Sequence, residues 1–387
     1  MALAGEDLLS GVSAAETVAE CAPGKDKRLF VHTAFPAVLE TPVPLLGEKF
    51  VTPLELLFVR NNQQLKKSAT LEPLPLKGWK LELGGLIDKP RVVDAEEIAS
   101  LPTVTREMVL QCSGNGRAIF SKTAQVKGTQ WGRGAIGNVR FTGVSLSSVL
   151  KHFKLKVKPE AKYLLAQGKD DPLPKKVDFE HSLPLRDALD HSLIALKING
   201  KPLPAIHGGP LRLITPGYYA TVHLKWLSRL SFERGESTNY NHVTRYRTPL
   251  TPIKPGTDFK ATLRNSHPTW RMKIATMIFT PTNGQKLTSN QVTVHGATFN
   301  DGAAKITTVL VSTDQGRTWK GARLQRPKSP FAWTWWKISL RLKKGRHPIW
   351  ARAVDALGRS QPLDGAIYWN PRGYEWNGVE KLTVEVT

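Results

Sequence analysis

The chain has 387 residues, 40% of them hydrophobic and 22% charged, a composition typical of soluble globular proteins with two or three domains. Its 55 lysines and arginines outnumber 32 acidic residues and give a net charge of +23, but they are spread over the whole length, which argues against nucleic-acid binding. No apolar run approaches the ~20 residues of a membrane span and no export signal opens the chain, so we expect a cytoplasmic protein, or a periplasmic one whose signal has been removed.

The first part of the chain carries little periodic pattern. Residues 1–40 mix alanine, glycine, proline and charged residues, which predicts an extended or partly disordered arm. Prolines in residues 42–57 exclude a long helix, and residues 56–59 then predict a short strand. The polar side chains that follow this strand are Arg60, Asn61 and Asn62.

The next elements lead to a cysteine. Residues 79–83 alternate as a half-buried strand does, and residues 94–98 predict a capped helix. An apolar run then delivers Cys112 into a loop of small and polar residues. The nearby Arg117 favours the thiolate, the form that ligates metals. An isolated cysteine in this position would more simply be a small buried hydrophobe, so its neighbours carry the metal hypothesis.

Short helices and strands continue after this loop and predict an α+β fold rather than a doubly wound sheet. We expect helices or strands at residues 143–151, 161–167, 182–189 and 193–198. Prolines and charges without a period in residues 249–268 predict a surface linker.

The C-terminal third changes to strands separated by Asn, Gly and Pro turns. Six strands in ~115 residues predict an all-β sandwich of the immunoglobulin type. The predicted strands are residues 274–279, 291–295, 306–311, 334–340, 347–354 and 381–386.

Several phrases, taken together and in this order, resemble the molybdenum-cofactor domain of the sulfite oxidase family. They are residues 58–61, 110–117, 131–136, 207–212, 222–226 and 368–374. The resemblance covers most of residues 40–387. It implies a mixed α/β molybdopterin-binding domain at 41–260 and an immunoglobulin-like dimerisation domain at 270–387, hence a homodimer.

The resemblance also implies a cofactor, molybdenum with molybdopterin, and the residues that hold it. Cys112 would ligate the metal, while cations and amides would bind the pterin and its phosphate. The implied pocket residues are Arg60, Asn61, Asn62, Asp170, His207, Arg212 and Lys225, with Arg212 and Lys225 near the phosphate. No other metal site is supported, because the cysteine and histidine spacings of zinc and di-iron sites are missing from the sequence.

For the substrate, the resemblance implies that Arg60 and Arg117 form an anion clamp, since guanidinium groups match oxyanions with two hydrogen bonds. Trp131 would lie beside this clamp, and Tyr246 would point at the metal's equatorial oxygen. The sequence departs from the family at two places. Asn62 stands where many members have a histidine, and Thr334 where animal members have an arginine, which leaves the substrate and the completeness of the anion site open.

These features predict a molybdenum-dependent sulfite dehydrogenase. Two cysteines cannot attach a c-type haem or hold an iron–sulfur cluster, and no dinucleotide-binding phrase is present, so electrons would pass to a separate acceptor, a c-type cytochrome. The positive charge would steer an acidic partner. The alternatives are a sulfur-compound dehydrogenase subunit, a nitrate reductase-like enzyme and, from another class, a basic binding protein without enzymatic activity.

Overall fold

The structure, a computed structural model, describes residues 14–65, 68–170 and 177–387. Its N-terminal part contains a helix and a three-stranded antiparallel sheet in the order β1-β2-β3. These elements are α1 (Ala14–Cys21), β1 (Phe30–Thr33), β2 (Val38–Glu40) and β3 (Val59–Arg60). A turn of 3-10 helix, Val43–Gly47, lies between β2 and β3.

The prediction of an extended arm over residues 1–40 is therefore wrong for residues 14–40, and residues 1–13 lie outside the described part of the chain. Leu29, Leu39 and Val18 are fully or almost fully buried, and they pack with Val59 and with Ile206 from the middle of the chain. Burial of such side chains stabilises the fold by about 1.5–3 kcal/mol each, enough to order a segment that has no sequence period.

The central part consists of short strands and helices, as the α+β prediction requires. In chain order they are β4 (Lys80–Gly85), β5 (Arg91–Asp94), α2 (Ala95–Ala99), β6 (Val104–Gln111), α3 (Arg117–Ser121), β7 (Ile136–Ser145), α4 (Leu146–His152), β8 (Tyr163–Gly168), β9 (Glu180–Pro184), α5 (Leu185–His191), β10 (Leu193–Ile198), β11 (Lys201–Pro202), β12 (Arg212–Ile214), β13 (Leu227–Glu233), α6 (Tyr240–Val243), β14 (Arg247–Pro249) and β15 (Ser266–Pro268). Two turns of 3-10 helix, Ala205–His207 and Ala220–Val222, complete this part.

Two five-stranded sheets organise these elements. One has the order β11-β10-β7-β6, with β12 paired to β10, and the other has the order β5-β4-β13-β8-β9. In the first sheet β6 and β7 are antiparallel over their whole shared length, from Val104 opposite Gly143 to Gln111 opposite Ile136. Cys112 is the residue directly after this ladder, so the sheet fixes its position.

The predicted helix at residues 94–98 is present as α2, but its cap is not the predicted one. The Asp94 side chain makes no capping hydrogen bond, and its carboxylate pairs with Lys80 at 2.7 Å instead. By contrast, Ser145 caps α4 by accepting a hydrogen bond from the backbone N–H of Ser148. An opposite charge across the strand pair β4–β5 has displaced the cap at Asp94.

The C-terminal part is a sandwich of two sheets, in the orders β16-β18-β22-β21 and β17-β24-β23-β19-β20. Its strands are β16 (Ala275–Thr280), β17 (Lys286–Leu287), β18 (Gln291–Phe299), β19 (Ile306–Ser312), β20 (Lys320–Gly321), β21 (Arg323–Gln325), β22 (Thr334–Arg341), β23 (Gly345–Asp355) and β24 (Glu380–Val386). All six predicted strands are present. The three that the sequence missed are two or three residues long, too short to show alternation.

The sandwich packs directly on the sheet that carries Cys112. Val109 and Ile136, from β6 and β7, share a buried cluster with Phe279 and Trp333 of the sandwich. The loop before β24 also returns to the cysteine loop, where the backbone N–H of Glu375 donates to the carbonyl of Ser113 at 2.8 Å. Of the helices in the described residues, none is long and apolar enough to span a bilayer.

Candidate active site

A cavity of about 720 Å³, counting its open mouth, lies where β3, β6, β12 and the loops after β8 and β12 converge. Small-molecule sites usually have volumes of about 300–1,000 Å³. Every predicted cofactor residue lines this cavity, and so does Tyr246. The lining includes Arg60, Asn61, Asn62, Cys112, Asp170, His207, Arg212, Lys225 and Tyr246.

Cys112 is held by backbone hydrogen bonds on both sides. Its N–H donates to the carbonyl of Ala135 at 3.0 Å, and its carbonyl accepts from the N–H of Asn115 at 3.0 Å. Four residues after Cys112, Gly116 has φ +90°, and a Cβ there would lie 2.7 Å from the Cβ of Trp376. Only glycine fits this turn, which presents an 8% exposed thiol to the cavity.

Three cations line a wall of the same cavity. Lys225 donates from Nζ to Oδ1 of Asn61 and to the carbonyl of Ile206, both at 2.6 Å. Arg212 donates from Nη1 to the carbonyl of His207 at 3.0 Å and from Nε to a second carbonyl. Arg60 is half-buried and donates to the carbonyl of Asn61. These side chains are fixed in place by the protein itself, so the wall is formed before any ligand binds.

The same wall carries more positive charge than the protein neutralises. Burial, together with the charges of Arg212 and Arg60, holds the pKa of Lys225 well below its ordinary value. Burial also lowers the pKa of Arg212 to about 9. Among the described residues that line the cavity, Asp170 is the only carboxylate, and burial and the neighbouring Asp178 raise its pKa to about 7. Such a site fits a bound polyanion, because an anion would stabilise the charged form of each cation.

His223 offers an unpaired acceptor to the same cavity. Its Nε2 lies 2.9 Å from the carbonyl of Thr215, which can only accept, so Nε2 carries the proton. Nδ1 is then a buried acceptor without a partner. Burial, followed by the charge of Arg212, lowers the His223 pKa to about 3, so the ring stays neutral. The N–H groups of a pterin ring would satisfy this atom. His223 lies within residues 222–226, which contribute to the family resemblance, but the sequence indicated no role for its side chain.

Lys25 is a second functional residue that the sequence did not reveal. It comes from the segment predicted to be an arm, yet it is only 8% exposed. Its Nζ donates to the carbonyls of Leu54 and Leu57 and lies 3.1 Å from Nε2 of His207. The N-terminal segment therefore supports a cavity residue directly. A lone lysine in a region without periodicity gives no sequence signal for this role.

We expect the stability contributed by Lys25 to depend on pH. Burial lowers its pKa from 10.5 to about 7. Between these values the unfolded chain holds a proton that the folded protein lacks, so wild-type stability falls as the pH falls. Relative to wild type, cofactor-free Lys25→Met should gain up to ~1.4 kcal/mol for each pH unit lowered from about pH 9 to about pH 7. Urea unfolding at these pH values measures the difference. The exposed Lys27→Met is the control, and an equal slope in both variants would contradict the assignment.

Two cavity residues have backbone conformations that are rare for residues other than glycine. Tyr246 has φ +53° and Trp226 has φ +49°. Such conformations cost about 1–3 kcal/mol each and concentrate at functional sites. The ring of Tyr246 is also stacked on Tyr374, with ring centroids 5.1 Å apart. The fold thus accepts strain in order to hold Tyr246 against the cavity.

Comparison with known proteins identifies the family. Residues 70–241 match the oxidoreductase molybdopterin binding domain, and residues 266–386 match the Mo-co oxidoreductase dimerisation domain. The mitochondrial sulfite oxidase of Homo sapiens is 30% identical over 94% of this chain and 67% of its own length. The chain belongs to the sulfite oxidase family. It is an oxidoreductase, and its cofactor is molybdenum with molybdopterin.

Two further similar proteins show how much of their own length this chain covers. The mitochondrial sulfite oxidase of Drosophila melanogaster is 31% identical over 90% of this chain, and the chain spans 61% of that enzyme's length. Among solved structures, the sulfane dehydrogenase SoxCD from Paracoccus pantotrophus is 26% identical, with a TM-score of 0.75 over 90% of this chain and 84% of that chain.

Within this sulfite oxidase fold, two predicted site residues do not line the cavity. Arg117 is 6% exposed and donates to the carbonyls of Thr129 and Arg372 at 2.8 and 2.7 Å. Its guanidinium lies over the ring of Tyr374, 5.1 Å from the centroid. Arg117 therefore does not join Arg60 in the lining of the cavity. Two backbone carbonyls hold the Arg117 side chain against the ring of Tyr374.

Trp131 is likewise part of the core. It is fully buried, and its ring makes edge contacts with His32 at 4.8 Å and Phe58 at 6.3 Å. Because Phe58 lines the cavity, Trp131 supports the wall from behind. Thr334 is only 6% exposed and lies opposite Thr298 in the β18–β22 ladder, so it does not replace an arginine at the anion site.

Proposed function

We propose that the chain is a molybdenum-dependent sulfite dehydrogenase that oxidises sulfite to sulfate and passes the electrons to a separate acceptor. The observation that carries this proposal is the cavity itself, whose lining combines a single thiol with three cations. When bound, the cofactor supplies oxygen-atom transfer and takes up two electrons. The protein supplies the Cys112 thiolate as metal ligand and a positive field that attracts a small oxyanion.

The cavity residues divide this work between cofactor and substrate. Lys225 and Arg212 are held by backbone carbonyls in the cavity wall and would bind the phosphate, while the unpaired Nδ1 of His223 would accept from the pterin. Arg60 is half-buried at the wall and would bind the substrate anion with two parallel hydrogen bonds. Arg117 acts indirectly, because it holds Tyr374, on which Tyr246 is stacked.

A second candidate is sulfur-compound dehydrogenation. Two observations favour it: the likeness to SoxCD over 90% of this chain, and Asn62 at the cavity, where many family members have a histidine.

Purified, molybdenum-loaded protein should be assayed with sulfite, thiosulfate and nitrate in parallel. Oxidation of sulfite with the highest kcat/KM supports the proposal. Preference for another substrate would reject it.

We further propose that the acceptor is a c-type cytochrome with an acidic surface, because opposite charges steer association with a chain of net charge +23. Raising the ionic strength from about 0.01 to 0.15 M shortens the screening length from ~30 to ~8 Å. Reduction of the cytochrome should therefore slow by ~10-fold or more, since steering contributes ~10–10³-fold. An uncharged quinone is the matched acceptor and should respond little. Equal salt dependence for both acceptors would rule out steering.

The match to the dimerisation domain supports a homodimer, the commonest closed assembly of soluble proteins. Light scattering should then report twice the 42.9 kDa of one chain, and a monomer at micromolar concentration would contradict it.

A c-type acceptor would place the enzyme in the periplasm, where such cytochromes work.

A further inference from the structure

A row of buried ionisable side chains begins behind Tyr246 and ends near the surface at Glu236. Nδ1 of His181 lies 3.2 Å from Nδ1 of His242, and Nε2 of His242 lies 2.9 Å from Oε2 of Glu236. Both histidines are 1% exposed, whereas the Glu236 side chain is 19% exposed. None of these three residues has a part in the function proposed above.

The hydrogen bonds fix which nitrogen carries each proton. The carboxylate of Glu236 only accepts, so Nε2 of His242 is protonated. In a neutral ring, Nδ1 of His242 is then the acceptor, and Nδ1 of His181 must donate to it. Nε2 of His181 is left as a bare lone pair. It is buried and has no hydrogen-bond partner.

This unpaired nitrogen belongs to a ring that lies against the cavity wall. The His181 ring is 5.2 Å from the ring of Tyr246, edge to face, and 4.7 Å from the ring of Phe179. Tyr246 and Phe179 both line the cavity. A buried acceptor without a partner is rare in folded proteins and calls for a functional explanation. Here it lies one aromatic ring away from the reacting centre.

Burial and the surrounding charges keep both imidazole rings neutral at rest. Burial lowers the pKa of His181 well below its ordinary value, and His242 and Arg247 lower it further. Burial also lowers the pKa of His242, although Glu236 opposes this effect. For Glu236, burial raises the pKa, but hydrogen bonds from His242 and Arg247 outweigh burial and leave the pKa below its ordinary value. Near pH 7 both rings are therefore neutral and Glu236 is an anion.

Other polar groups around the row hold it in place. Arg247 donates from Nη1 to Oε2 of Glu236 at 2.8 Å and from Nε to Oγ of Ser266 at 2.9 Å. Oγ of Ser182 lies 3.1 Å from Nε2 of His242. The other nearby carboxylate, Glu180, accepts from Ser237 and so is already paired. Of the described neighbours, Glu236 is thus the carboxylate that contacts the imidazoles.

We propose that His181, His242 and Glu236 form a relay that carries protons from the cavity to the surface. The proposal rests on the sulfite dehydrogenase function, in which SO3²⁻ and H2O give SO4²⁻, two protons and two electrons. The electrons leave to the acceptor, and the relay gives the protons a route to the surface that is separate from the open mouth of the cavity.

From His181 onward, each transfer moves one proton along an existing hydrogen bond. A proton from the cavity reaches Nε2 of His181 through one bridging water beside Tyr246. Nδ1 of His181 then gives its proton to Nδ1 of His242, and Nε2 of His242 gives its proton to Glu236, which releases it to solvent. Each passage leaves both rings as the opposite tautomer, and exchange of the ring protons with water restores the starting tautomers before the next proton.

The resting state can be tested without cofactor or turnover. In cofactor-free protein labelled with ¹⁵N-histidine, we expect Nε2 of His181 and Nδ1 of His242 to have the chemical shifts of unprotonated nitrogens near pH 7. The other nitrogen of each ring should be protonated. A protonated Nε2 on His181, or a doubly protonated ring, would overturn the relay.

The transfer itself is tested with loaded enzyme. His181→Ala should slow turnover by ~10–100-fold, at or below the low end of what general acid–base groups contribute. It should also raise the solvent deuterium isotope effect, and added imidazole should restore the rate by filling the space left by the ring. His181→Phe keeps the aromatic packing and should show the same loss without rescue.

His191→Ala, which removes an exposed histidine on α5, is the matched control. Its turnover and solvent isotope effect should equal those of wild type, and added imidazole should not change its rate. If wild type turns over sulfite and His181→Phe is equally fast with an unchanged isotope effect, the relay is overturned and the proposed function stands. If wild type does not oxidise sulfite at all, the proposed function fails, and the tautomers of the two rings still decide the resting state.

Discussion

Cys112→Ser is expected to lower turnover more than ~100-fold while the protein remains folded and retains molybdopterin. The side chain is small and 8% exposed, and its backbone bonds to Ala135 and Asn115 do not depend on the sulfur. Serine therefore fits the site. It replaces a soft thiolate by a hard oxygen, or leaves no ligand. Changes to residues that only support a metal ligand already cost ~10–100-fold, so loss of the ligand itself should cost more.

Cys21→Ser is the matched control for this substitution. Cys21 is the other free thiol, is half-buried on α1, and its Sγ lies 3.9 Å from the carbonyl of Val18. Its replacement should leave turnover unchanged. Elemental analysis and pterin fluorescence would show that both variants carry the cofactor. Near-normal turnover of Cys112→Ser would make the cysteine structural and remove the basis of the proposed metal site.

The sequence predicted the sandwich well because its strands are long and alternate. β22, for example, places Trp336 and Leu340 inside the sandwich and exposes Lys337 and Arg341 between them and at its end. The prediction for the N-terminal segment was wrong for the opposite reason. β1 and β2 have four and three residues, and their burial depends on contacts with residues as distant as Ile206. Local pattern cannot reveal burial that a distant part of the chain supplies.

The cavity residues were predicted from the family resemblance, and the structure brings all of the cofactor residues together. A resemblance transfers the identity of a residue but not the direction of its side chain. Arg117 shows the difference, because its direction is set by the carbonyl of Arg372, 255 residues away. Lys25 is the converse case, a residue near the cavity that the resemblance did not indicate. Its contact with His207 spans 182 residues, so no local pattern reveals it.

Lys225→Met is expected to weaken cofactor binding by roughly 10- to 150-fold. Loss of one hydrogen bond to a charged ligand costs about 1.5–3 kcal/mol, and ~1.4 kcal/mol is a tenfold change in affinity. The cofactor-free variant should nevertheless be at least as stable as wild type near pH 7. Burial and repulsion by Arg212 and Arg60 disfavour the charged form of Lys225 in the folded protein, and methionine removes this penalty.

This pair of results separates a binding role from a structural one. A lysine that mainly stabilised the fold through Asn61 and the carbonyl of Ile206 would lower the unfolding midpoint when replaced, and cofactor would be lost only as a consequence. A lysine kept for an anion lowers the molybdenum content while the fold stays intact. The measurements are the ratio of molybdenum to protein after dialysis, and thermal unfolding of protein from a host that makes no cofactor. Lys169→Met, at an exposed lysine directly before Asp170 in the sequence, removes an equal charge and should change neither. Equal molybdenum retention in Lys225→Met and wild type would show that the excess positive charge of the cavity serves some group other than the cofactor's phosphate.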